Sequence, residues 1–300
     1  MNHLWWGSRL RLGHLRWGRR LRLVEMGAQA ARLAKFLSVS AILAAALLVP
    51  LSAQAADAHS VLAAPRQRIE SADYRASGHM AWVQANGVRI SVPITIKAHW
   101  FPGVLRVLLE IGSVSKTGAD AFDSAHLPAH ILLEMRPKGT NVVKIAHPGD
   151  ANPVILPFDK WNDGPLGAGF SYEDFLEAQY FWEVQTALEK TKFGARDCNL
   201  VKSTPGAADK THYVEVKSWL DQDIGFPVYV EKTLKDGKVK EFTYYGLRKE
   251  GGVWSAHQIE AKTRSQAGST LLIIDRGTPH ANLSLKDFNI AQLTHFQDGK

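Results

Sequence analysis

Few spacings in this chain have the form that catalysis or metal binding requires. Gly169-Phe-Ser171-Tyr-Glu173 offers the turn of a hydrolase nucleophile elbow, but glutamate stands where the closing glycine is needed. His126-Leu-Pro-Ala-His130 has the spacing of two zinc ligands on one helical face, yet Pro128 disfavours that helix and no glutamate follows His126. Asp221-Gln-Asp223-Ile-Gly225 begins like a calcium loop and lacks the later ligands, so a turn between strands is expected. Gly164-Pro-Leu-Gly167-Ala-Gly169 has neither the lysine of a phosphate loop nor a βαβ setting. Cys198 is the single cysteine, which excludes an intramolecular disulfide and reads as a buried structural thiol rather than a nucleophile. Carboxylates are plentiful, and a glycosidase-type pair is neither located nor excluded. These residues point to a protein that is not an enzyme and uses no metal or cofactor.

The elements around these residues are mostly strands. Beyond a short helix expected within Arg66–Ala76, runs of β-branched and aromatic residues alternate with turn signals. Asn86-Gly87 separates His79–Gln84 from Arg89–His99, and is expected to form a two-residue turn with both residues at positive φ. Asp236-Gly237 separates Tyr229–Leu234 from Val239–Leu247, and further turns at Lys249–Gly252 and Ser265–Ser269 bound Val253–Thr263 and Thr270–Asp275. In Tyr213–Trp219, alternation predicts Val214 and Val216 on one face and Tyr213, Glu215 and Lys217 on the other, while Val104–Ile111 reads as more enclosed. One segment breaks the pattern. Ser171 as N-cap with Asp174 three residues on predicts a helix over Phe170–Ala178, continuing into Tyr180, Phe181, Trp182 and Val184 as an aromatic face laid on a curved sheet.

The net charge of +7 suggests a nucleic-acid partner until it is divided along the chain. Eight of the 36 Arg and Lys residues and one of the 29 Asp and Glu residues lie in residues 1–55, which leaves 28 of each from Ala56 on. A neutral remainder has no general attraction for phosphate backbones. Arg32 and Lys35, the apolar run Phe36–Leu51 and Ala53-Gln54-Ala55 form the three parts of a secretory signal peptide, expected over residues 26–55 with cleavage near Ala55. The run is 16 residues and contains Pro50, short of the roughly 20 that a membrane-crossing helix needs. Residues 1–25, rich in Trp and Arg, read as an extension of doubtful function, and residues 56–300 as one domain released into the periplasm without a lipid anchor.

Gly167-Ala-Gly169-Phe170-Ser171-Tyr172-Glu173-Asp174-Phe175 resembles the Gly-Ser-x-Phe-Ser-Tyr-Glu-Asp-Leu signature in the larger branch of the LolA-like outer-membrane lipoprotein-sorting family, departing from it at Ala168 and Phe175. Asp197-Cys198, Tyr213–Trp219 with Asp221 behind it, Pro227, Asp236-Gly237 and Asn282–Phe288 follow in that family's order, and the likeness runs over residues 69–293. The resemblance implies a mainly β, α+β fold, an incomplete barrel of curled antiparallel sheet with helices covering an apolar cavity. It also implies a monomeric periplasmic carrier of lipid or lipoprotein acyl chains, served by an inner-membrane transporter and an outer-membrane acceptor. The candidate cavity or lid residues are Phe170, Tyr172, Phe175, Trp182, Trp219, Tyr229, Tyr244 and Trp254. Better-known members anchor the lid with an arginine, to which none of Arg89, Arg106 and Arg136 aligns. A periplasmic sensor or regulatory module on the same scaffold is the alternative.

Overall fold

The computed structural model describes residues 58–114, 126–165 and 169–296, all within one compact unit, Gln54–Lys300. The expected extension (1–25) and signal peptide (26–55) lie outside the described residues, as do Gly167 and Ala168.

After a helix α1 (Ala63–Glu70), the chain forms β1 (Asp73–Val83), β2 (Arg89–Phe101), β3 (Val104–Ile111), β4 (Ala129–Met135), β5 (Val142–Ala146) and β6 (Val154–Ile155). The second half forms β7 (Val184–Ala187), β8 (Thr191–Phe193), β9 (Arg196–Thr204), β10 (Tyr213–Asp221), β11 (Pro227–Leu234), β12 (Val239–Glu250), β13 (Val253–Thr263) and β14 (Ser269–Pro279). These strands make one antiparallel sheet in the order β6-β5-β4-β3-β2-β1-β14-β13-β12-β11-β10-β9-β7, with β8 also on β9. It is a meander whose first and last strands meet in the middle. β6 and β7, at the two ends, do not pair, so the sheet stays open.

That order places a demand on the link between β6 and β7: residues 156–183 must pass from one edge to the other. Its described parts, 156–165 and 169–183, run inside the curl. Phe170 meets Phe242 of β12, Asp174 meets Lys232 of β11, and Phe181 stacks on Trp100 of β2 at 6.0 Å. One cluster joins Met80, Val92, Leu109 and Leu133 from one half of the sheet, Val216, Val230 and Phe242 from the other, and Phe170, Leu176 and Tyr180 from the link.

The expected helix over Phe170–Ala178 is not formed as an α-helix. Its Ser171–Asp174 capping box is present, but the chain makes one 3-10 turn, Tyr172–Leu176, then a second, Ala178–Phe181. Between them Glu177 takes a left-handed conformation, φ 47°. A 3-10 turn rises about 2.0 Å per residue against about 1.5 Å in an α-helix, which suits a link that must span the sheet.

Two further expectations are corrected. At the first hairpin only Gly87 has positive φ, while Gly87 N–H donates to Gln84 O and Gln84 N–H to Val88 O. The loop is thus a three-residue type with a left-handed glycine, and the Leu234–Lys238 hairpin at Gly237 repeats it. In β10 a bulge between Tyr213 and Glu215 shifts the alternation, so Tyr213 is buried with Val216 and Val214 is exposed. The enclosure expected of β3 is observed, and the cause is a second apolar layer. Leu283, Phe288 and Leu293, from the C-terminal segment with its short helix α2 (Ile290–Thr294), cover Leu108, Leu132 and Ala146 on the outer face.

Candidate functional site

The inward alternation of β11 runs Val228, Val230, Lys232, Leu234, and that of β12 runs Lys240, Phe242. Lys232 and Lys240 are direct cross-strand partners, an arrangement of like charges that is unfavourable without an anion between them. Asp174 of the link supplies it. Lys232 Nζ donates to Oδ1 at 2.8 Å and Lys240 Nζ lies 3.6 Å from Oδ2. Tyr213 Oη donates to Oδ1 at 2.8 Å, and the Ser171 N–H and hydroxyl both donate to Oδ2, at 2.8 and 2.7 Å. Burial would raise the Asp174 carboxyl, but the two ammonium groups and these donors outweigh it and hold it well below the usual carboxylate range. Beside it, Glu173 accepts from the Thr211 hydroxyl at 2.8 Å and lies 3.0 Å from His212 Nδ1. The acidic pair of the Phe-Ser-Tyr-Glu-Asp stretch thus pins the link to one wall of the sheet.

On the opposite side α1 holds the link. Arg68 Nη2 donates to both carboxylate oxygens of Glu177 at 2.8–2.9 Å, and Arg66 Nε donates to Tyr180 O at 2.7 Å. Between α1, the link and the inner faces of β1–β3 and β12–β14 lies a cavity of about 240 Å³. Its wall is mainly apolar, with Ile96, Leu105, Val107, Ile259 and Ile274 among the side chains. In its lining Phe170, Asp174, Lys232 and Phe242 are buried, Arg68 is half-buried, and Ser71 and His280 are exposed.

Of the candidate residues, Phe170, Phe175, Tyr244 and Trp254 line this cavity. Phe170 and Phe175 stack at 5.4 Å. Tyr172 is buried in the core, its hydroxyl pushed up to about 12 by burial and the nearby Asp163. Trp182 lines a separate pocket of about 30 Å³ with Trp161 and Asp209. Trp219 and Tyr229 are cross-strand partners whose rings meet edge-on at 5.0 Å, and Phe193 stacks on Tyr229 at 4.8 Å; none of the three lines the cavity. Arg106 and Arg136 both pair with Glu134, and Arg89 is exposed beside His79. Sequence reasoning missed Arg68, Lys232 and Lys240. Two lysines on inward positions of adjacent β-runs were a readable signal for the last two; Arg68, on a short polar helix, carried none.

The remaining motifs take structural places. His126 Nε2 lies 2.9 Å from Pro165 O and His130 Nδ1 3.0 Å from Leu293 O, so the two rings meet different carbonyls. Asp221 Oδ1 accepts from the Asp223 N–H at 3.0 Å in the β10–β11 turn, and Cys198 is buried. No group of three or more metal-ligating side chains occurs among the described residues, and none of their helices is long and apolar enough to cross a membrane.

A protein-family model described as "Uncharacterized protein" matches residues 161–295. No curated protein matches the sequence. Among solved structures, a domain described as an outer membrane lipoprotein-sorting protein from Vibrio parahaemolyticus is similar, with a TM-score of 0.68 and 18% identity over 80% of this chain and 99% of that one. A DUF1329 family protein from Desulfovibrio piger has a TM-score of 0.70 at 13% identity, again over 80% and 99%. A LolA superfamily protein from Nitrosomonas europaea has a TM-score of 0.55 at 13% identity, over 79% and 99%. At such identities the likeness is one of fold: this chain has the open, mainly antiparallel β fold of LolA-like lipoprotein-sorting proteins.

Proposed function

We propose that the protein is a periplasmic carrier that shelters lipid or lipoprotein acyl chains in the cavity between the curled sheet and the crossing link. The observation that carries this reading is the mainly apolar cavity of about 240 Å³, enclosed by strands from both halves of the sheet and by α1. The fold shared with lipoprotein-sorting and LolA superfamily structures supports it. Each buried methylene is worth about 0.8 kcal/mol, so a fully buried chain of about fifteen would be held by on the order of 12 kcal/mol and released slowly. A carrier therefore buries its cargo in part and hands it over on contact with a donor or acceptor, here an inner-membrane transporter and an outer-membrane receptor. The carrier works as a monomer, without nucleic acid, cofactor or catalysis, after removal of residues 1–55.

Native mass spectrometry of protein purified from the periplasm, with lipid extraction, tests the reading. Copurifying acyl lipid is the expected result; repeated recovery of empty protein that binds no fluorescent lipid analogue overturns it. N-terminal sequencing of the same material should begin at Ala56 or a close neighbour.

A further inference from the structure

Beside the C-terminal segment the outer face of the sheet is not filled. A groove of about 650 Å³ is bounded by α2, by β6 and by the outward side chains of β3–β5. Ile155 of β6 and Ile290 of α2 both line it, and they are 65% and 56% exposed. Large aliphatic side chains so exposed, on two elements of one groove, mark a surface for a partner. Its charges are unequal. Arg106 and Lys144 are the cations of the lining and Glu134 is its single carboxylate. Glu134 is already shared, with Arg106 at 3.1 Å and with Arg136 at 2.9 Å, while Lys144 has no ion pair among the described residues. Surplus positive charge beside aliphatic surface fits a partner that carries carboxylates beside an apolar face.

The sheet edge decides how that partner is held. Leu156 N–H donates to Val143 O at 2.8 Å, and Val154 and Ile155 pair with Ile145 and Lys144. Alternation in an antiparallel pair then turns the backbone of 154 and 156 towards β5, and that of 153, 155 and 157 towards the open edge. Pro153 and Pro157 have no N–H, so an added strand would find one donor, that of Ile155. Strand addition is blocked, and recognition falls to side chains. A chain that presents side chains while satisfying its own backbone is a helix.

We propose that the groove between α2 and β6 docks an acidic amphipathic helix of a partner protein, its aliphatic stripe on Ile155 and Ile290 and a carboxylate on Lys144. The groove and the cavity lie on opposite faces of the sheet, so the helix docks whether or not the cavity holds acyl chains.

Fluorescence anisotropy with a labelled model helix of about five turns tests this, its Leu residues spaced i, i+3, i+4, i+7 and its other faces made of Ala and Glu. The controls are the same helix with Lys in place of Glu, and a shuffled sequence of the same composition. The acidic helix should bind at least about tenfold more tightly than either, and its lead over the lysine helix should shrink with added salt. Lys144→Glu should reverse the preference between the acidic and lysine helices. Ile155→Ser and Ile290→Ser change exposed side chains, leave the fold intact, and should each weaken the acidic helix about fivefold. All three variants should keep the wild-type affinity for N-phenyl-1-naphthylamine, a neutral apolar probe of the inner cavity. Equal binding of the three peptides, an acidic-helix affinity unchanged in all three variants, or displacement of the helix by N-phenyl-1-naphthylamine overturns the proposal. Sedimentation with phosphatidylglycerol–phosphatidylcholine vesicles, or dimerisation, that depends on Lys144 and Ile290 in protein that does not bind the acidic helix also overturns it.

Discussion

Asp174 is the residue on which the position of the link depends. Its side chain is fully buried and is held by two lysines, a tyrosine and a serine. Asp174→Asn keeps the shape and removes the charge, leaving Lys232 and Lys240 facing each other across the strands. A loss of roughly 3–5 kcal/mol in urea-melt stability at neutral pH is expected, the cost of breaking a buried pair from one side. The pH dependence follows from the lowered carboxyl. Since the folded protein binds that proton less readily than the unfolded chain, the stabilisation is fully present above the ordinary carboxylate pKa of about 3.9 and is lost as pH falls through the lower folded value. The stability gap between wild type and Asp174→Asn should therefore narrow below about pH 4; a gap that stays constant to pH 2 would show that the charge is not the source.

At the scale of elements, the link and the hairpins make different demands. Gly169 opens the second described stretch of the link at φ 87°, and a Cβ there would lie 2.8 Å from Thr270 Oγ1 and 2.9 Å from Ala261 O. Gly169→Ala meets both a left-handed backbone and the β13–β14 pair, and should cost at least about 1–2 kcal/mol. Gly237 also has positive φ, but a Cβ there meets nothing within 4 Å. Gly237→Ala should therefore show the backbone cost alone, and comparing the two melting temperatures separates conformational strain from collision with the sheet. A larger effect at Gly237 would contradict the tight passage of the link over β13 and β14.

At the scale of the molecule, the sheet has two covered faces with different purposes. The inner face keeps a cavity, and Ala256 in its wall is 7% exposed. Ala256→Phe should fill part of that space, lowering probe affinity at least about tenfold while the melting temperature holds or rises. Unchanged binding would place the ligand elsewhere. The outer face carries a second apolar cluster where the C-terminal segment lies on β3–β5, with Phe288 2% exposed and edge-on to Phe101 at 5.6 Å. Phe288→Ala should cost about 3–5 kcal/mol and leave probe affinity unchanged once the protein is folded. The two variants divide the molecule into a stabilising layer and a binding layer.

The sequence by itself determined what depends on neighbours in the chain. Asn86-Gly87 and Asp236-Gly237 placed the hairpins, alternation placed most strands, and Ser171 with Asp174 placed a cap, because turn geometry and pleat are local. It also carried the lysines at inward positions of β11 and β12. Only the tertiary structure decided what lies between the two ends of the sheet. The order of strands sends the link between β6 and β7 across the curl, so a stretch of it with the pattern of an amphipathic helix is drawn into two 3-10 turns. The same order decides which aromatic residues meet: Phe170, Phe175, Tyr244 and Trp254 line one cavity, while Trp219 and Tyr229, equally promising in composition, meet edge-on outside it. Direction relative to a curved surface depends on bulges and on partners far along the chain, and no local pattern encodes it.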